Sequence, residues 1–115
     1  MTIRPPRPTL LLAAAFALLA IQAMAADRPQ PIVVTIKDHL FSPAEIHVAA
    51  GQPTLLRVIN RDHEVEEVES PQLGIEKVIP GGASSRVRLR PLAAGRYPFY
   101  GEYHPKTAQG VVVAE

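Results

Sequence analysis

Beyond residue 31 the chain alternates between apolar and polar positions with a period of two, the signature of strands with one buried face. "IVVTI" (32–36) is β-branched and reads as a strand. "EIHVAAGQPTLLRVIN" (45–60) reads as two strands around a turn at Ala50 to Pro53, with Ile46 and Val48 inward and Glu45 and His47 outward. "IEKVIPGGASSRVRLR" (75–90) repeats the pattern around "PGG", with Val87 and Leu89 alternating with Arg86, Arg88 and Arg90. "GRYPFYGEY" and "GVVVAE" complete the series. Turn signals recur about every ten residues, and no stretch carries a helical period of useful length. Seven or so short strands predict an all-β fold, an antiparallel Greek-key β-sandwich. Its predicted inward positions are Ile46, Val48, Leu56, Val58, Val87, Leu89, Phe99 and Val112.

One stretch breaks the alternation. In "HEVEEVES" (63–70), Val65 and Val68 stand three apart among four carboxylates. A bulge or loop there aims Glu66 and Glu67 in different directions, whereas a solvated acidic edge strand is the plainer reading. Before residue 31 the pattern is different again. "MTIRPPRPT" supplies Arg4 and Arg7, an apolar run follows, and "AMA" (23–25) gives small residues at a cleavage position. The apolar run is short of the ~20 residues of a bilayer span. Residues 1–25 therefore read as a signal peptide and 26–115 as one exported domain, periplasmic and without a membrane anchor after cleavage. "ADRPQP" (26–31) reads as a loose arm.

Charge and composition narrow the function. The 115 residues contain 12 Lys and Arg and 11 Asp and Glu. Without Arg4 and Arg7 the domain has 10 basic residues and sits near −1, which speaks against a nucleic-acid footprint. There is no cysteine, which excludes disulfides and every thiolate chemistry. Hydrolytic motifs of the GxSxG or HExxH type are absent.

The ordered pieces "FSPAEIHVAAG", "VIN" (58–60), "IPGG" (79–82) and "GRYPFY" (95–100) resemble the cupredoxins over nearly the whole exported part. "EEVES", "EKVIPGG" and "GEYHPKTAQG" are similar to the small cupredoxin-like proteins of bacterial periplasmic iron-uptake systems, which accompany an iron permease. A blue-copper centre uses two imidazoles, one thiolate and a weak axial ligand. The resemblance sets Gly101 at the thiolate position, His104 three residues on, Gln109 eight on, and Glu66 in place of the upstream imidazole. It therefore implies a metal site of harder character, built from His104, Glu66 and Glu102 with Glu67, Gln109 and His63 nearby, for a divalent ion, Fe or Cu. The partner it implies is an iron permease or another periplasmic uptake component. His39, beside Asp38, reads as a strand-end residue, and Tyr97, Phe99, Tyr100 and Tyr103 as core and rim packing. A metal-free β-sandwich that docks a periplasmic partner is the alternative.

Overall fold

The computed structural model describes residues 2–4 and 30–115. The signal peptide expected over residues 1–25 lies, but for residues 2–4, outside the described residues. Among the described residues no helix is long and apolar enough to cross a membrane.

Nine strands follow in chain order: β1 Ile32–Lys37, β2 Leu40–Ser42, β3 Glu45–Val48, β4 Thr54–Asn60, β5 Glu66–Ser70, β6 Ile75–Ile79, β7 Ser84–Leu89, β8 Gly95–Gly101 and β9 Gln109–Ala114. They form two sheets, ordered β2-β1-β4-β7 and β3-β9-β8-β5-β6. The β-sandwich expected from the alternation is present. Most neighbours are antiparallel, and two pairs run parallel: β1 with β4, and β3 with β9. In both, the paired strands are not neighbours in sequence, and the chain between them visits the other sheet.

All eight predicted inward residues are buried. Phe99 meets Phe41 edge-to-face at 4.9 Å between ring centres and lies against Gly110, where a Cβ would fall inside its ring. Each fully buried Val, Leu, Ile or Phe contributes roughly 1.5–3 kcal/mol, so this core substitutes for the absent disulfides.

One strand escaped the sequence reading, and another was read only as a bulge, a loop or an edge strand. β2 is only three residues long and is created by a two-residue turn, Asp38–His39. β5 carries three glutamates, which are poor strand formers. Val65 lies just before β5, so within the strand the alternation is regular: Glu66, Val68 and Ser70 point inward and Glu67 and Glu69 outward. β5 lies between β8 and β6 and is not an edge strand.

Three polar side chains are nevertheless fully buried, Asn60, Glu66 and Ser70. Burial of a polar group is tolerated where its hydrogen bonds are made. Among the described residues no buried side-chain nitrogen or oxygen lacks a partner. Ser70 donates to the Pro98 carbonyl, and Arg90 folds back to donate to the carbonyls of Gln72 and Leu73. Arg86 and Arg88 stay exposed, as the alternation implied.

Candidate metal centre

Glu66 opens β5 on its inward face, and its side chain is 2% exposed. A carboxylate so placed needs a full set of donors. Oε1 accepts the backbone N–H of Glu67 at 3.1 Å and that of Tyr103 at 3.0 Å. Oε2 lies 2.6 Å from His104 Nδ1. The carboxylate takes up the space beside Gly101: a Cβ there would approach Glu66 Cδ and Ala108 Cβ to 2.7 Å each. Glycine is needed at 101 for room, since its backbone is not left-handed.

His104 sits in the loop between β8 and β9. The loop is closed by Gly101 N–H donating to the Ala108 carbonyl at 2.8 Å, and by Ala108 N–H donating to the His104 carbonyl at 2.9 Å. With Nδ1 turned inward to Glu66, Nε2 faces outward, 3.1 Å from Glu64 Oε2. The same Glu64 oxygen is 3.4 Å from His39 Nε2. The rings of His39 and His104 stack with centres 3.5 Å apart and planes 13° from parallel. One ligand atom each from His39, Glu64 and His104 therefore falls within 4.8 Å of the others. Exposure rises outward from 2% at Glu66 and 21% at His104 to 66% at Glu64, so the outer group is open to solvent.

The electrostatics follow. The pKa of His104 is held above that of an ordinary imidazole, chiefly by the hydrogen bond to Glu66. Burial opposes this, and Glu64 adds to it. A proton on Nδ1, fixed by the Glu66 carboxylate, leaves Nε2 as the nitrogen that can bind a metal. A carboxylate on one imidazole nitrogen, with the other turned outward, is an arrangement common among metal-binding histidines.

The structure treats the sequence candidates differently. It brings His104 and Glu66 into direct contact, with Glu66 beneath the ring and not beside the outer group. His63 is exposed and lines an open hollow with Lys37, Asp38, His39, Asp62 and Glu64. Glu67 and Glu102 lie on the other side of β5, by Glu69 and Tyr103. There burial first, and then the Glu102 carboxyl, raise the pKa of Glu69. Gln109 uses its amide to donate to the Pro105 carbonyl at 3.0 Å.

Sequence reasoning missed His39 and Glu64 as partners of His104. A signal for His39 was available. Asp and His are among the non-glycine residues that most readily adopt positive φ, and two such residues between apolar runs form the tight hairpin that matches strand twist. Glu64 carried no signal that set it apart from its acidic neighbours.

A copper–thiolate centre does not fit these residues. The chain holds no cysteine. The inward nitrogen of His104 is already bonded to a carboxylate.

Comparison with known proteins agrees with the fold. The chain is 37% identical over 87 residues to an uncharacterized protein of Rickettsia prowazekii (strain Madrid E), covering 76% of this chain and 70% of that one. It is similar to a reduced Cu(I) form of an amicyanin variant, at 26% identity and a TM-score of 0.62, covering 79% of this chain and 89% of that one. It also resembles the metal binding domain of the Cu(I) exporting P-type ATPase CopA of Streptococcus pneumoniae, solved with Cu(I), at 20% identity and a TM-score of 0.63 over 75% and 85% of the two chains. The last of these shows the fold alone. With the sandwich, the loop that presents His104 and these relatives in view, the match of residues 9–114 to the model of the Cupredoxin-like domain completes the assignment: the chain belongs to that family.

Proposed function

We propose that the protein handles a divalent metal ion, iron or copper, in the periplasm, and passes it to a membrane iron permease during ferrous-iron uptake. The observation that carries this reading is the convergence of two imidazoles and one carboxylate, His39, His104 and Glu64, on one open face. Two histidines and a carboxylate with free positions suit Fe(II), and the same donors bind Cu(II) more tightly by the usual order of divalent affinities. The ion is cargo. Three donors on an exposed face leave positions for water or for a receiving ligand, and an incomplete set exchanges its ion readily. The permease enters from the similarity of "EEVES", "EKVIPGG" and "GEYHPKTAQG" to the proteins of iron-uptake systems. The periplasmic location rests on the signal-peptide pattern of residues 1–25. Copper enters from the affinity of this donor set for Cu(II) and from the Cu(I) named for the amicyanin form.

The test is calorimetric titration of the purified protein with Cu(II) and with anaerobic Fe(II), beside His39→Ala. Binding in the micromolar to sub-millimolar range, weakened tenfold or more by His39→Ala, is expected. Absence of binding, or unchanged binding by the variant, defeats the metal reading and leaves the sandwich as a metal-free docking module. Slowed ferrous-iron uptake in cells lacking the protein tests the permease step.

A further inference from the structure

Asp38 and His39 both have positive φ, 52° and 58°. They form a two-residue turn between Lys37 and Leu40, which are paired across β1 and β2. Asp is common in such a turn. Histidine in the second place is not, because glycine normally takes it. Something outside the hairpin therefore favours this turn over its competitors.

That element is Asp62. Its Oδ1 accepts the N–H of Asp38 at 2.8 Å and its Oδ2 accepts the N–H of His39 at 3.0 Å. One carboxylate thus satisfies both N–H groups of the turn from across the sheet. Asp62 is itself fixed. Its N–H donates to Asn60 Oδ1 at 3.1 Å. The buried Asn60 amide donates to the Glu64 carbonyl at 2.8 Å and the Ile79 carbonyl at 3.0 Å. Gly82 N–H donates to the carbonyls of Asn60 and Asp62. Gly81 packs so tightly on the His63 carbonyl that a Cβ would overlap it. One loop, 60–64, therefore controls two of the three candidate ligands: Glu64 through its backbone, and His39 through the turn.

We propose that Asp62 is the positioning residue that holds His39 over His104, with Asn60 joining Asp62 and Glu64 into one preformed unit. This deepens the metal reading and rests on it. Preorganisation matters because His39 stands on a hairpin tip: without an anchor its imidazole samples many positions, and an ion that uses it must first order the turn. Residues that orient metal ligands typically alter affinity 10–100-fold when removed.

The experiment has two readouts on the full chain. Without metal, proton–proton contacts between the His39 and His104 rings are measured by NMR in wild type, Asp62→Asn and Asp62→Ala. The contacts are expected in wild type, weakened in Asp62→Asn, which keeps one acceptor oxygen, and lost in Asp62→Ala, with the strand amides unshifted. With metal, Cu(II) and anaerobic Fe(II) affinities are measured for Asp62→Ala, His39→Ala and the double variant. Each single change is expected to weaken binding by about tenfold or more, and the double change by no more than His39→Ala alone, since both remove the same ligand. Ring contacts that persist in Asp62→Ala overturn the proposal, as do losses that add. Should Asp62→Ala not fold, Asp62→Asn decides: unchanged contacts and unchanged affinity overturn the proposal. If His39→Ala binds as wild type does, the metal reading falls, and the ring contacts alone judge whether Asp62 places His39.

Discussion

The two nitrogens of one imidazole face two different environments. On the Nδ1 side of His104 lies a closed pocket: a buried carboxylate with its three contacts made, two of them backbone N–H groups, packed where glycine leaves room. On the Nε2 side lie Glu64, two-thirds exposed, and a histidine on a hairpin tip. The first side has no position left for an ion. The second has donors but no closure. The difference teaches that one residue serves the fold with one atom and offers chemistry with the other. Removing the ring or filling the pocket on the inner side should therefore act on stability, whereas changing the outer donors, or the proton that Glu66 holds on Nδ1, should act on binding.

The largest effect is expected for His104→Ala. It leaves the Glu66 carboxylate buried with its two N–H donors but without its ring partner. Breaking a buried charge pair by removing one member costs about 3–5 kcal/mol. Urea unfolding of the metal-free protein measures it. A loss under about 1 kcal/mol, the value of an exposed pair, would show that water reaches the pocket and that the two sides are not distinct. This cost is also why His39→Ala, and not His104→Ala, is the cleaner probe of metal binding.

Gly101→Ala comes next. The new Cβ meets Glu66 and Ala108 at 2.7 Å, and overpacking of this kind costs typically about 1–3 kcal/mol. The companion change Gly101→Cys bears on copper directly. The collision lies at the Cβ, so a sulfur is not accommodated while Glu66 holds its place. Cu(II) added to Gly101→Cys is expected to give no intense blue colour, as read by its visible absorption spectrum. A blue product would mean that Glu66 yields the pocket easily.

Glu66→Gln separates the sides without a large change of shape. The glutamine oxygen can keep both backbone N–H bonds. Its amide then donates to His104 Nδ1, which drives the ring proton to Nε2, the atom offered to the ion. Folding is expected to persist while affinity for Cu(II) and Fe(II) falls about tenfold or more, in line with lost carboxylate partners at other metal histidines. Unchanged affinity by titration would mean that the ion does not use Nε2.

Much of this was legible beforehand, and the rest was not, for physical reasons. Strands with a clean two-residue period were readable because the period reports a buried face, as in β3 and β7. β2 was not, because three residues carry no period and its existence depends on the turn before it. β5 was misread because Val65 seemed to belong to its pattern, and because a buried glutamate contradicts the rule by which inward positions are recognised. The pairing of His104 with Glu66 is close to what the loop resemblance implied. The turn that carries His39 left a signal, but its convergence with His104 and Glu64 was not readable, since it depends on two hydrogen bonds between Asp62 and a turn more than twenty residues away. Periodicity records which face a residue takes, not which distant loop fixes its turn.

The smallest effect is in pH dependence, and it tests both sides together. Without metal, the pKa of His104 lies above that of a free imidazole, first because of Glu66. An unfolded histidine titrates near ~6.5. The contribution of this pair to stability is therefore fully present below about pH 6.5 and is lost as pH rises through the raised value. Asp62 has the opposite sign: its lowered pKa gives stability that is present above about pH 3.8 and lost only in acid, so it stays constant in the neutral range. Metal affinity should run against the His104 trend. The ion must displace the Nε2 proton, so binding strengthens as pH rises through the same value. Thermal midpoints of the metal-free protein and affinities for Cu(II), taken from about pH 5.5 to about pH 8.5, should thus slope in opposite directions. Both slopes should flatten in Glu66→Gln, where His104 no longer holds a second proton against a carboxylate. Parallel slopes would show that the ion and the proton do not compete for this ring, and would remove His104 from the outer group.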